Sequence, residues 1–141
     1  AVGEIQLSFD IPFYISKKDL FLLKRAEETA QYYLKHKQVL IPPKNIKDLK
    51  NGNLIVGEFK VEVIRTPGHT PGSTCFNFKD FILTGDTLFK EAVGRYDFSY
   101  SNKQDLKNSL DTLFQLPPDT VVYPGHENET TIGQEKRTPM I

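Results

Sequence analysis

The chain has 141 residues, 38% of them apolar and 26% charged, a composition that fits neither a disordered segment nor a membrane protein. Eighteen basic residues balance eighteen acidic ones, which argues against a dedicated nucleic-acid binder, because such affinity rests largely on neutralising phosphates. Cys75 is the only cysteine, so an intrachain disulfide and a cysteine-based zinc finger are excluded and a reducing cytoplasm is the expected compartment.

No repeat or Gly/Ser linker interrupts the chain, which reads as one unit over residues 1–141. Residues 9–15 read as a short strand of β-branched and aromatic residues around Pro12. Ser16 and Asp19 form a capping signal for a helix over 17–36, where Leu20, Leu23, Ala26, Ala30 and Leu34 recur at helical spacing. His36, in its last turn, suits the negative end of the helix. Pro42-Pro43 opens a loop that runs to Gly52. Strands at 53–57 and 59–65 follow, joined at Gly57-Glu58, and Phe59, Val61 and Val63 alternate with polar residues as in a half-exposed strand. Further strands fall at 74–78 and 81–84, with Phe76, Phe78, Phe81 and Leu83 as candidate core and Cys75 as a small buried residue. After an irregular stretch over 86–100, Ser101 and Gln104 form a capping-box pattern for a helix striped with Leu106, Leu110 and Leu113 and ended by Pro117-Pro118. Thr120–Tyr123 reads as a last strand, and Thr131 starts a terminal helix. Strands in the middle flanked by helices give an α+β class.

Three strands end in glycine followed by a residue able to bind a metal: Gly68-His69, Gly85-Asp86 and Gly125-His126. Glycine lets the backbone turn sharply and aim the next side chain into a shared space. Imidazole and carboxylate suit zinc, iron or manganese. Taken singly, each histidine reads rather as an exposed turn residue and Asp86 as a turn acid, and it is the threefold recurrence that shifts the balance toward ligands. Thr70 and Thr87 stand where they could orient such ligands or satisfy the local backbone.

Thr66-Pro67-Gly68-His69-Thr70-Pro71-Gly72-Ser73, Thr84-Gly85-Asp86-Thr87-Leu88-Phe89 and Tyr123-Pro124-Gly125-His126-Glu127 resemble, in order, three metal-ligand motifs of the metallo-β-lactamase superfamily. Within it, the likeness is to small glyoxalase II-like hydrolases. The resemblance implies an αββα sandwich of two sheets with helices outside and a site for two divalent metal ions, zinc foremost with iron or manganese as alternatives. His69 would bind one ion, His126 the other, and Asp86 would bridge them as the carboxylate that positions a metal-bound hydroxide. It implies hydrolysis of a small-molecule ester or thioester, with a glutathione thioester as the candidate, without a nucleic-acid or membrane partner.

The superfamily's His-x-His-x-Asp-His motif is absent, which leaves two protein ligands per ion. Together with the Ala1 start, this leads us to expect the C-terminal part of a longer metallohydrolase, inactive by itself and able to associate as a homo-oligomer through an uncovered sheet face. A degenerate binding domain and an iron-dependent oxidoreductase similar to persulfide dioxygenases are the alternatives. Gly94-Arg95 stands where glyoxalase II-like proteins place a basic residue that contacts the glutathione carboxylate, and Tyr96 stands one position from their tyrosine. Arg95 and Tyr96 are therefore candidate substrate-binding residues, with an ion pair to Asp97 or Glu91 as the other reading of Arg95.

Overall fold

Alternation along the strands decides how the chain folds around its core. The computed structural model describes residues 2–34 and 41–138 and divides into two compact units, residues 1–49 and 50–141. His36 lies outside the described residues.

The first unit begins with helix α1 (Val2–Ser8). Gln6 clips it to the return chain: its Nε2 donates to the carbonyls of Ile11 (2.7 Å) and Lys44 (2.9 Å), and its Oε1 accepts from Lys44 N–H (2.8 Å). The strand expected at 9–15 shrinks to β1 (Phe13–Ile15), because Phe9 still belongs to the helix end, its N–H donating to Ile5. The helix expected from residue 17 is interrupted. Ser16 caps a 3-10 turn over Lys17–Asp19, followed by α2 (Leu20–Lys24) and α3 (Ala26–Leu34). The break falls at Arg25, whose N–H is shared between the Phe21 and Leu22 carbonyls, the tightening common at helix ends. The loop expected before Gly52 contains β2 (Ile46–Asp48), which pairs in parallel with β1.

The second unit is built on a six-stranded sheet in the order β10-β9-β6-β5-β4-β3. Its strands are β3 (Gly52–Val56), β4 (Phe59–Arg65), β5 (Thr74–Asn77), β6 (Phe81–Gly85), β9 (Val121–Pro124) and β10 (Thr130–Thr131). β6 and β9 are parallel and the other pairs antiparallel. A small hairpin, β7 (Leu88–Phe89) and β8 (Ala92–Val93), lies within the stretch expected to be irregular. Helix α4 (Lys103–Leu113) and the short α5 (Ile132–Glu135) complete the unit.

The core lies between one sheet face and these helices: Cys75, Ile82 and Val122 from the strands pack with Leu106, Leu110, Leu113, Ile132 and Leu88. Burying each large aliphatic side chain contributes roughly 1.5–3 kcal/mol. The four candidate core residues of the middle strands take the opposite face. Phe76 pairs with Leu83 across β5 and β6, and successive strand residues point to opposite sides, so Cys75 and Ile82 enter the core while Leu83 stays 38% exposed. On that face Val63, opposite Phe76, is buried, Phe78 and Phe81 stack at 4.7 Å, and Phe81 meets Tyr123 edge-on at 5.8 Å.

Cap geometry moves by one residue at α4. Asn102, not Ser101, is the N-cap, its side-chain oxygen accepting from Asp105 N–H at 2.9 Å. At α5 the N-cap is Thr131, as read from the sequence.

Candidate metal centre

Strand direction explains why three separated motifs meet. β4 is antiparallel to β5 and β5 to β6, so β4 runs with β6; β9 is parallel to β6. The C-terminal ends of β4, β6 and β9 therefore share one edge of the sheet, and the loops leaving them carry His69, Asp86 and His126.

The carboxylate of Asp86 stands between the two imidazoles. Its Oδ2 lies 3.7 Å from His69 Nε2 and its Oδ1 3.6 Å from His126 Nε2. Both gaps are longer than a hydrogen bond. They lie within about 0.1 Å of the spacing of two ligands on a common ion, which at bond lengths of about 2.0–2.2 Å stand roughly 3.4–3.6 Å apart. Nitrogen and carboxylate donors suit zinc, iron or manganese. Each gap offers one nitrogen and one oxygen, and among the described residues no group of three His, Cys, Asp or Glu side chains converges on a single point. The three residues thus fit two ions in donor type and spacing, as a partial ligand set for each.

His69 is the more enclosed imidazole, its side chain 19% exposed against 62% for His126. Its Nδ1 lies 2.9 Å from the Arg95 carbonyl. A carbonyl only accepts, so Nδ1 carries a proton, and in the neutral ring the Nε2 lone pair is the one directed toward Asp86. The loop beneath is held by α4: Ser101 Oγ donates to His69 O (2.7 Å), Asn102 N–H to Gly68 O (2.8 Å) and Ser109 Oγ to Pro67 O (2.7 Å). Gly68 permits this approach, since a Cβ there would come within 2.4 Å of the Leu106 backbone.

Below the site, buried hydroxyls tie the strand ends together. Thr66 Oγ1 lies 3.1 Å from Thr87 Oγ1 and 3.2 Å from Cys75 Sγ, and Thr84 Oγ1 donates to Leu88 O at 2.7 Å. Thr87 thus links the loop of Asp86 to the end of β4. Thr70 serves its own turn, bonded through Oγ1 to Ser73 Oγ at 2.8 Å. Burial, only partly offset by hydrogen bonds from Thr66 and Thr87, pushes the Cys75 thiol up to about 11.

The guanidinium of Arg95 forks onto Asp97, with Nε to Oδ1 at 2.9 Å and Nη2 to Oδ2 at 2.8 Å. This holds the exposed Asp97 carboxyl below its usual range. The same guanidinium covers the Phe98 ring at 4.5 Å, and Phe98 meets His69 edge-on at 5.7 Å. Tyr96 lies under Lys103, whose Nζ is 5.5 Å from the ring centre. Arg95 therefore stands beside the candidate centre with two of its donors on Asp97. Phe89, which stacks on His126 at 4.4 Å, and Phe98 are neighbours of the histidines that motif spacing does not reveal, because the contact depends on how the loops fold back.

The family model described as Metallo-beta-lactamase superfamily matches residues 1–126. The chain is 38% identical over 139 residues to an Aquifex aeolicus protein, covering 96% of this chain and 65% of that one. It is 32% identical over 139 residues to the probable metallo-hydrolase YqgX of Bacillus subtilis (96% and 66%) and 35% identical over 144 residues to the hydroxyacylglutathione hydrolase GloC of Haemophilus influenzae (98% and 67%). The chain thus spans about two thirds of the length of these curated relatives. Among solved structures, TTHA1623 in a di-iron-bound form superposes with a TM-score of 0.88 at 35% identity over 98% of this chain and 68% of that one. ETHE1 from Myxococcus xanthus gives 0.62 at 39% identity over 66% and 44%. Motif order, a common sheet edge for the three donors and these matches agree: the chain has the mixed α+β metallo-β-lactamase fold and belongs to the Metallo-beta-lactamase superfamily.

Proposed function

We propose that this chain carries the bridging half of a two-metal hydrolase centre acting on esters or thioesters, in the manner of glyoxalase II-like enzymes. The observation behind the reading is the placement of Asp86, with one carboxylate oxygen toward each imidazole Nε2. His69 and His126 would each hold one divalent ion and Asp86 both. The ions would supply Lewis-acid polarisation of a substrate carbonyl. The chain's own residues orient the donors: Arg95 O sets the His69 tautomer, and Thr66 and Thr87 fix the loop that bears Asp86. The hydroxyacylglutathione hydrolase among the relatives supports a thioester as substrate class. With two of its five N–H donors on Asp97, Arg95 would meet an anionic substrate as part of that ion pair, and Tyr96 would offer an exposed ring beside it. Two donors per ion are fewer than the three protein ligands usual for catalytic zinc, so this chain alone would turn over little thioester.

Titration of the chain with Zn²⁺ or Fe²⁺, compared with its His69→Ala, His126→Ala and Asp86→Ala variants, tests the site. Asp86→Ala should weaken binding more than either histidine variant, because it removes a donor from both gaps. Metal binding unchanged in Asp86→Ala would overturn the reading. A second reading, an iron-dependent oxidoreductase on the same fold, is favoured by the match to ETHE1 from Myxococcus xanthus. One iron per chain in place of two zinc ions in the purified natural protein, with oxygen consumption, would select it.

A further inference from the structure

The β7–β8 hairpin has two residues in each strand and a two-residue turn, far too little pairing to hold a position in water by itself. Yet both imidazoles of the candidate centre lean on it. From β7, the buried Phe89 stacks on His126 with 4.4 Å between centroids and 26° between planes. Two residues beyond β8, the Arg95 carbonyl receives His69 Nδ1–H. Between them Gly94 passes so close to Asp86 that a Cβ on it would lie 1.8 Å from the Asp86 carbonyl oxygen. The hairpin and the two residues that leave it, Gly94 and Arg95, therefore touch all three candidate ligand residues.

The base of the hairpin is tied by Thr84 Oγ1 donating to Leu88 O and by Gly94 N–H donating to Thr87 O. Its tip is tied by Glu135 of α5. That side chain is 1% exposed, and its Oε2 accepts the Glu91 N–H at 2.8 Å. Its Oε1 accepts from Thr130 Oγ1. A buried carboxylate is costly unless hydrogen-bonded, and here its bonds are spent on the turn of the hairpin and the start of β10. Glu91 sits in the left-handed region (φ 56°), where a residue with a Cβ is strained, so the turn needs an outside hold.

We propose that the β7–β8 hairpin is the positioning element for both candidate metal-binding imidazoles and that Glu135 is the latch that holds its tip. Glu135 acts as a positioning residue, through Phe89 on His126 and through the Arg95 carbonyl on His69. The proposal rests on the reading of these histidines as metal ligands for its purpose, but its test uses no metal, so the two can fail separately.

The test is long-range proton–nitrogen NMR of the imidazoles in the metal-free 141-residue chain at a pH of about 8, above the ordinary histidine range. The parent chain should show His69 as a single Nδ1–H tautomer and upfield-shifted ring protons on His126. Glu135→Ala should lose both signatures. Glu135→Gln should keep them, since an amide oxygen still accepts from Glu91 N–H. Phe89→Leu should lose the His126 shift and keep the His69 tautomer, a split that general loosening would not produce. If Glu135→Ala does not fold by its amide dispersion, Glu135→Asp, one methylene short of the turn, is read in its place. A folded Glu135 variant of either kind with both signatures intact, or Phe89→Leu with His126 unmoved, overturns the proposal. A chain that shows the signatures but binds no metal leaves the latch standing and removes the metal reading.

Discussion

Asp86 occupies the space that a side chain at Gly125 would need: a Cβ at Gly125 would lie 2.8 Å from Asp86 Oδ1, the oxygen that faces His126. The shortest conflict is with the end of a side chain that can rotate away, and the Gly85 backbone, at 3.2 and 3.3 Å, needs to yield only by tenths of an ångström. Gly125→Ala should therefore cost little stability and instead turn Oδ1 from its 3.6 Å relation to His126 Nε2. We expect Zn²⁺ affinity to fall by about 10–100-fold, the range seen when ligand orientation is lost, with a thermal midpoint close to that of the parent in the metal-free chain. A chelator-competition titration beside a melt checks both.

Gly94→Ala should behave in the opposite way. Its Cβ would meet the backbone oxygen of Asp86 at 1.8 Å, and backbone cannot rotate aside. Overpacking of this kind costs about 1–3 kcal/mol, so urea unfolding of the metal-free chain should show a clear drop in midpoint. A midpoint equal to that of the parent would contradict the close approach.

At the start of α4, Asn102 and Ser101 divide two tasks. Asn102 caps the helix through Asp105 N–H, and Asn102→Ala should lower stability by about 1 kcal/mol. Ser101 instead donates to the His69 carbonyl, so Ser101→Ala should disturb the backbone amides around His69 while leaving helix content unchanged. Circular dichroism with amide chemical shifts separates the two outcomes.

Cys75 gives a pH signature whose sign follows from burial. Its thiol is raised from an ordinary 9.0 to about 11, because burial penalises the thiolate. Above pH 9 the unfolded chain releases this proton while the folded chain keeps it. The contribution is thus present in full below pH 9 and is lost as pH rises toward 11. Denaturant midpoints of the parent should fall across that window more steeply than those of Cys75→Ala. A thiol reagent should label the folded chain slowly at neutral pH and quickly once it is unfolded.

Much of the candidate centre was legible because its signals are local. A strand ending in glycine before His69, Asp86 or His126 is a matter of adjacent residues, as are the leucine stripe of α4 and the Thr131 cap of α5. What one-dimensional spacing could not decide were relations between distant segments. Phe76 and Leu83 are as apolar as any core residue, yet strand pairing turns them to the face opposite the helices and brings Cys75 and Ile82 to the helix-covered one. Asn102 took the cap from Ser101 because Ser101 is drawn to the carbonyl of a loop 32 residues earlier. Arg95, which the family resemblance makes a contact for a substrate carboxylate and its neighbours make an ion pair, has its side chain on Asp97, while its backbone carbonyl is what reaches His69. The sequence by itself determined which donors there are and that each follows a strand. The tertiary structure decided that β4, β6 and β9 run the same way, so that the donors share an edge, and that one hairpin with the two residues after it folds back to touch all three. Strand direction and close backbone approach depend on long-range pairing, which no local run of residues encodes.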